Sequence, residues 1–472
     1  MMNVLIVNPP TLGDIRYIRE GRCEQRLSSF QYIMPPISLP SIAALLEKEN
    51  FKVKITECIG DNLNLEDIER EIKSFHPTLI IVNVSTVTYY NDKKVITFIR
   101  NITPCHLTAI GIHVTALPEN VLLDTALDSV VRGEPEAVCL SLAGSIANGK
   151  GFKNIEGLSY KEKGKVIHNR RRNFIEDLNR LPFPARNLLN NRRYTLPIIN
   201  RPYTLVISSR GCPYECIFCT ARQYYGNKLR LRNPRNIIDE IEEIIRRFQI
   251  TDSVMWSDTF NLVRDFVMDI CSEIKRRHLK FNWMCNSRVD RVDEGMLSKM
   301  KEAGCSGISY GVESGVQYIL DKAKKGVALK QIEDAFKWTH RVGIRTLGHV
   351  ILGLPGETKE TIKSTLQFVK RLNPDYMQFY CAIPFPGTEL YSLAKKNGWL
   401  ITDDWSRFEL NQAIIQTPQL SSDDLKKARC KAFLSFYARP SYIGNKLLPL
   451  LRHGRFGITC RQMASFLKEW IM

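Results

Sequence analysis

Apolar positions along this chain recur at two spacings, and the alternation between them predicts its elements. Residues 3–8 (Asn-Val-Leu-Ile-Val-Asn) form an apolar run closed by Pro9-Pro10, which reads as a short buried strand. Leu39, Ile42, Ala43, Leu45 and Leu46 share one face of a helix over 38–49, and 51–55 reads as a second strand. Leu65, Ile68, Ile72 and Phe75 mark a helix over 65–75, and the unbroken run Leu79 to Val84 is typical of a parallel strand covered on both faces. A helix over 91–101, a strand near 107–112 and a helix after Pro118 continue the alternation. An open, doubly wound parallel α/β sheet follows, whose ligands sit at the carboxyl ends of its strands. From 204 onward the units lengthen, with strands at 204–209, 253–257, 281–287, 306–312, 345–352 and 375–381 and helices between them. Six such repeats fit a partial or complete (β/α) barrel better than a flat sheet. Residues 400–472 read as a helical tail.

The stretch between the two series differs. Residues 150–200 hold Arg170-Arg171-Arg172, the turn-rich segment Leu181 to Arg186 and a small hairpin from Gly157 to His168. Charge changes there too. Residues 1–150 carry 14 basic and 17 acidic side chains, net −3, whereas 151–200 carry 11 and 4, net +7. The basic excess then persists to the C-terminus, so the first block is a separate near-neutral unit and the rest attracts anions. We divide the chain into 1–145, a basic linker 146–200, a barrel 201–395 and a helical region 396–472. A polar stretch from Asp14 to Met34, with Arg16, Arg19, Arg22, Cys23 and Arg26, is long for a strand–helix loop. It covers a site between domains, contacts an anionic group, or is a solvated insertion.

Composition narrows the class. With 472 residues, 44% hydrophobic and 25% charged, the chain is globular rather than disordered or collagenous. No run reaches the ~18 apolar residues of a membrane-spanning helix, and MMNVLIVNPP lacks a basic n-region and cleavage site, so no signal peptide is expected. The odd count of 13 cysteines argues against a disulfide framework. Ten are scattered singly. Cys212, Cys216 and Cys219 stand together in C-x3-C-x2-C, on the loop after the first barrel strand. Three soft thiolates on one short loop can hold three irons of a cubic iron–sulfur cluster and leave the fourth iron open. The other reading is a zinc site completed by a remote His or Cys, although no second cysteine pair is present.

This loop, with Phe218 before its last cysteine, resembles that of the radical S-adenosylmethionine superfamily. Further segments match in order: Met255 to Phe260, Trp283 to Asp290, Ala303 to Gly315, Gly348 to Glu357 and Pro384 to Tyr391. The resemblance covers about 200–395. It implies a 4Fe-4S cluster on Cys212, Cys216 and Cys219, whose open iron is chelated by S-adenosylmethionine. One electron then cleaves the sulfonium bond to methionine and a 5′-deoxyadenosyl radical, which abstracts hydrogen from the substrate. It further implies Glu313 and Ser314 as contacts to the ribose or methionine, Arg288 as a carboxylate partner, and Ile351, Gly353 and Pro355 against the adenine. Arg288 could instead pair with Asp290 or Glu313, and Ser257 and Asp258 serve either as ligand contacts or as a helix N-cap.

Residues 1–145 resemble the cobalamin-binding domain often fused ahead of such barrels. The matching loops hold Asn8, Pro9 and Pro10, then Ser85 and Thr86, then Gly111 and His113, then Gly133 and Glu134. The D-x-H-x-x-G motif that supplies histidine to cobalt elsewhere is missing, so the domain either binds cobalamin without it or has become structural or substrate-binding.

The expected function is a cobalamin-dependent radical methyltransferase acting on an unactivated carbon, or phosphorus, of a small-molecule or lipid-like substrate. It would draw electrons from a flavodoxin or ferredoxin. The alternatives are an oxidoreductase of the anaerobic porphyrin-cyclase kind and a non-enzymatic cobalamin or redox sensor; a methylthiotransferase would bring more cluster cysteines. Reduced thiols predict the cytoplasm. The basic, apolar segment 425–472 packs on the barrel or lies weakly on anionic membranes, and its aromatics are too few for nucleic acid.

Overall fold

The computed structural model describes residues 2–11, 17–20, 25–26, 33–196 and 200–444. The segment expected to touch membranes beyond 444, and most of the stretch from Asp14 to Met34, lie outside the described residues.

The first sheet has seven strands: β1 (Asn3–Asn8), β2 (Lys52–Glu57), β3 (Leu79–Asn83), β4 (His106–Ile110), β5 (Ser129–Val131), β6 (Leu158–Glu162) and β7 (Lys165–His168), in the order β2-β1-β3-β4-β5-β6-β7. The first five run parallel. Their unbroken apolar runs are explained by cover on both faces. Val4 and Ile6 pack with Leu39, Ile42, Val138 and Leu142 on one side, while Leu5 and Val7 pack with Ile68, Ile72, Ile96 and Ile99 on the other. The hairpin β6–β7, expected in the linker, instead adds two antiparallel strands to the edge at β5. The sheet is therefore mixed, and its unit extends at least to His168. Periodicity alone gave no sign of this, because a hairpin's partner strand is set by tertiary docking.

The second sheet has six parallel strands in sequential order: β8 (Tyr203–Ile207), β9 (Asp252–Trp256), β10 (Asn282–Ser287), β11 (Cys305–Glu313), β12 (Arg345–Leu352) and β13 (Tyr376–Cys381). This is a partial barrel. Its strands alternate: Trp283, Cys285, Ile308, Tyr310, Val350, Leu352, Met377 and Phe379 pack outward against helices through Ile270, Met300, Phe336 and Phe368. The intervening positions are half-buried and line the lumen. The free edge of β13 is covered. Leu410 accepts from the Cys381 amide at 2.8 Å, and Arg429 and Tyr437 of helix Ser422–Tyr437 donate to the carbonyls of Phe379 and Met377 at 3.1 and 2.7 Å.

The helical tail needs correction over 400–421. That segment holds only a single 3-10 turn, Trp405–Arg407, and the helix begins at Ser422 with a Ser421–Asp424 capping box. Asp403, Asp404 and Pro418 break the helical pattern there. Among the described residues, no helix is long and apolar enough to cross a membrane.

Candidate active site

The cysteine loop is held from all sides. It leaves the short strand Ser209–Arg210, and Gly211 has φ +85, where an added Cβ would lie 2.2 Å from the Lys228 carbonyl oxygen. Only glycine fits there. The Gly211 amide donates to Asp258 at 3.2 Å, Cys212 to the Gly226 carbonyl at 3.2 Å, and Ile217 to the Ala323 carbonyl at 3.2 Å. Phe218 and Ile351 join one apolar cluster with Ile217, Leu354 and Leu390. Cys212 is buried, Cys216 and Cys219 are half-buried, and none of the three is in a disulfide. Burial pushes the Cys216 thiol up to about 11, against the pull of the Lys325 ammonium.

Lys325 is the residue that sequence reasoning missed. It is buried, and its Nζ donates to Glu313 at 2.7 Å. Burial disfavours the ammonium, but Glu313 and Cys216 outweigh it and raise its pKa. Glu313 ends β11 with φ +58, a left-handed conformation rare for a side chain of this size. Gly311 makes room for the pair, since a Cβ there would lie 2.3 Å from the Glu313 carboxylate and 2.6 Å from the Lys325 ammonium.

Arg288 is placed differently from the first expectation. Its guanidinium pairs with Asp290 at 2.8 Å, lies 3.4 Å from the Tyr214 ring centroid, and donates to the Lys325 and Gly326 carbonyls at 2.9 and 3.2 Å. Its Nε and Nη2 donors are engaged, as the alternative pairing with Asp290 requires, and they fix the turn that carries Lys325. Ser314 is also turned away: its hydroxyl meets Thr365 at 3.1 Å and accepts from the Val316 amide. Asp258 and Ser257 cap no helix, because the next one starts at Arg264 after Val263. Asp258 instead holds the cysteine loop, and the buried Ser257 hydroxyl has no partner among the described residues. Gly353 has φ +94 and donates its amide to the buried Glu357, with half-buried Pro355 between them in the chain.

At the carboxyl edge of the first sheet, Asn8 donates to Glu57 at 2.5 Å and accepts from Asn83 at 3.2 Å, beside buried Pro9 and Pro10. Ser85 meets Thr88 at 2.7 Å, next to the buried Thr86, and Asp92 holds Arg19 through two contacts of 2.7 Å. Arg19 therefore belongs to the sheet edge rather than to solvent. A crevice opens there between Asn8, Arg19, Glu20, Glu57 and Asn83. Gly111, at φ +124, lets its loop approach the Val84 carbonyl, where a Cβ would come within 2.1 Å. Gly133, at φ +81, takes its amide to Thr115. His113 does not face the crevice. It is buried between Tyr89 and Trp405, with ring centroids 4.6 and 5.2 Å away, its Nδ1 has no partner, and burial pushes its pKa down to about 3.

Glu134 ties the domains together. Arg210 and Arg230, paired across a two-residue ladder, reach it at 3.3 and 2.8 Å, Arg210 also pairs with Glu136, and the Ile175 amide donates to Glu134 at 2.8 Å. All four ionic side chains are at most 4% exposed. Arg210 precedes the cysteine loop by one residue, so the cobalamin-type loop and the cysteine loop share one buried ion ring.

Among the described residues, no three His, Cys, Asp or Glu side chains converge as on a single ion. A cubane places its thiolates on separate irons, so its ligands need not converge on one point. Three thiols beside a buried ammonium suit an anionic cluster. The Lys325–Glu313 pair and the unpartnered Ser257 hydroxyl suit a zwitterionic nucleoside. The polar crevice, lined by Asn8, Arg19, Glu20, Glu57 and Asn83, suits the amide-fringed rim of a corrin.

Comparison with known proteins agrees with this geometry. The family model "Radical SAM superfamily" matches residues 206–369, and "B12 binding domain" matches 26–143. An uncharacterised methyltransferase of Pyrococcus horikoshii is 32% identical over 445 residues, 94% of each chain. The anaerobic magnesium-protoporphyrin IX monomethyl ester cyclase of Rubrivivax gelatinosus is 25% identical, over 92% of this chain and 83% of its own. A radical S-adenosylmethionine methyltransferase of Kitasatospora setae, solved with cobalamin and a [4Fe-4S] cluster, shares the fold with TM-score 0.73 at 18% identity, over 93% and 90% of the two chains.

Proposed function

The chain belongs to the B12-binding branch of the radical S-adenosylmethionine superfamily, and on that premise we propose that it is a cobalamin-dependent methyltransferase acting on an unactivated carbon of a small molecule. The observation that carries this is the buried ion ring. It joins the strand that feeds the cysteine loop to the loop that borders a B12-type sheet edge, so both cofactor sites are held in one frame. When bound, the cluster and S-adenosylmethionine supply one-electron cleavage, and cobalamin supplies a methyl carrier.

The chain's own residues then bind and orient. Cys212, Cys216 and Cys219 hold the cluster. Lys325 would hold the methionine carboxylate of S-adenosylmethionine and Glu313 its amino group or ribose, while Ile351 with Phe218 forms an apolar wall beside them. Arg288 and Asp290 fix the turn that carries Lys325. Asn8, Ser85, Thr86, Gly111 and Gly133 stand at the sheet edge that would hold cobalamin, and Glu134 ties that edge to the barrel. The electron enters from a flavodoxin- or ferredoxin-type donor, and the thiols call for a reducing interior such as the cytoplasm.

The test is product mass. Anaerobically reconstituted protein with hydroxocobalamin and S-adenosylmethionine deuterated in its methyl group should add one labelled methyl to its substrate. Loss of hydrogen or gain of oxygen would move the protein to the ring-forming chemistry of its cyclase relative. Full iron content in the triple Cys→Ala variant would remove the reading altogether.

A further inference from the structure

The barrel lumen divides into two unlike halves. On one side Val254, Trp256 and Met284, from β9 and β10, pack in a single apolar cluster with Ile33, Met34 and Ile37 of the first domain. That half is filled by the chain itself. On the other side Asn286, Ser309, Gly311, His349 and Gln378 occupy half-buried lumen positions of β10 to β13, flanked on β12 by Leu347 and Ile351, and register places them side by side. Asn286 pairs with Ser309, Gly311 with His349, and His349 with Gln378. The His349 ring stacks on Tyr380, with centroids 5.8 Å apart and planes 14° apart.

This wall starts directly below the Lys325–Glu313 pair. That pair lies over Gly311, as the overlap of an added Cβ shows, and His349 is Gly311's cross-strand partner. His349 therefore stands on the lumen wall next to the strand position over which that pair lies. The wall's composition is selective. Between the exposed Arg345 at the amino end and Glu313 at the carboxyl end, no lumen position of β10 to β13 is Arg, Lys, Asp or Glu. Its polar groups are amide, hydroxyl and imidazole, set beside the apolar Leu347 and Ile351. The one cation beside this wall, Lys325, is already paired with Glu313 at 2.7 Å, so a phosphate or carboxylate placed here would lose its hydration with no unpaired cation to replace it, whereas a neutral hydrogen-bonding group would meet amide and hydroxyl groups.

We propose that the reacting portion of the substrate is uncharged and hydrogen-bonding, and that His349, Gln378 and Tyr380 recognise it on the lumen wall. The inference rests on the methyltransferase reading and adds the substrate class and the residues that select it. Any anionic part of the substrate lies outside the lumen.

The experiment uses full-length holoenzyme, reconstituted with cluster and hydroxocobalamin, and S-adenosylmethionine radiolabelled in its methyl group. A small-molecule extract of the producing cells is first cut by a phosphatase and an esterase, then divided on an anion exchanger into neutral and anionic pools. Label should enter the neutral pool. His349→Leu should lower that labelling about tenfold, the loss expected for one unmade buried hydrogen bond. His349→Gln should recover part of it, and His349→Arg should abolish it. Iron content and uncoupled cleavage of S-adenosylmethionine should stay at wild-type level in all three, which a merely structural role for His349 would not preserve. Cleavage without label in the neutral pool, or His349→Leu labelling like wild type, would overturn the inference. Absence of cleavage in the wild-type holoenzyme would count instead against the proposed function.

Discussion

Gly311 has no room for a side chain, because two ionic groups occupy its space. Gly311→Ala would put a Cβ 2.3 Å from the Glu313 carboxylate and 2.6 Å from the Lys325 ammonium. Both atoms end flexible side chains, so the fold survives and the pair moves. We expect about tenfold weaker equilibrium binding of S-adenosylmethionine to the reconstituted protein, with little change in melting temperature. Glu357 gives a pH signature at the same scale. Burial pushes its carboxyl up to about 8, although the amides of Gly353 and Leu354 favour the charged form. Folded protein therefore keeps this proton, while the unfolded chain loses it above the ordinary value of 4.5. The group binds more protons folded than unfolded, so its effect is to lower stability as pH rises from about 4.5 to about 8. Glu357→Gln lacks this slope. In urea melts at pH 5, 6.5 and 8, the midpoint of Glu357→Gln should rise relative to wild type with each step, and a constant difference would refute the assignment.

At the scale of elements, the ladder Ser209–Arg210 with Arg230–Leu231 is only two residues per strand, too short to stand alone. What holds it is the ion ring with Glu134 and Glu136 at the start of helix Pro135–Ala147. Removing one member leaves a buried charge uncompensated, at about 3–5 kcal/mol. Removing a matched pair leaves none. We expect Glu136→Gln to lower unfolding stability by about 3 kcal/mol and to reduce cluster content, because Arg210 sets the entry to the cysteine loop. The double variant Arg210→Met/Glu136→Leu should recover most of the stability. If both variants are equally destabilised, the ring is not the tie between these elements.

Across the whole molecule, the C-terminal region closes back onto the first domain. Trp405 packs against His113 of the first domain at 5.2 Å and against Phe408, inside the barrel's core cluster, at 4.7 Å. It is the one aromatic side chain that joins both hydrophobic cores among the described residues. Trp405→Ala should lower stability by about 3 kcal/mol and speed amide exchange in helix Tyr89–Ile102, while exchange in β10 to β12 stays slow. Uniform acceleration through both sheets would mean that the domains unfold as one unit and that Trp405 is not a local clamp.

The sequence by itself determined the parts that are local. Strand and helix identity followed from apolar spacing over a few residues, as in β1 and helix Leu65–Phe75, because the burial pattern of an element repeats with its own geometry. The cysteine loop was legible for the same reason: three thiols within eight residues must be near one another in any fold. The tertiary structure decided everything that depends on distant segments meeting. It moved the hairpin β6–β7 into the first sheet, turned Arg288 onto Asp290 and Tyr214, and made Glu134 an ion-ring member. It brought Lys325 to Glu313, and it divided the lumen into a filled apolar half and a polar half lined by His349. Lys325 shows the limit most plainly. A lysine in Lys-Lys-Gly after a short helix looks like any solvated surface charge, and only the fold buries one of the two against a carboxylate while its neighbour Lys324 stays exposed. Charge and apolarity are properties of a residue, but the partner that gives a charge its role is chosen by three-dimensional packing.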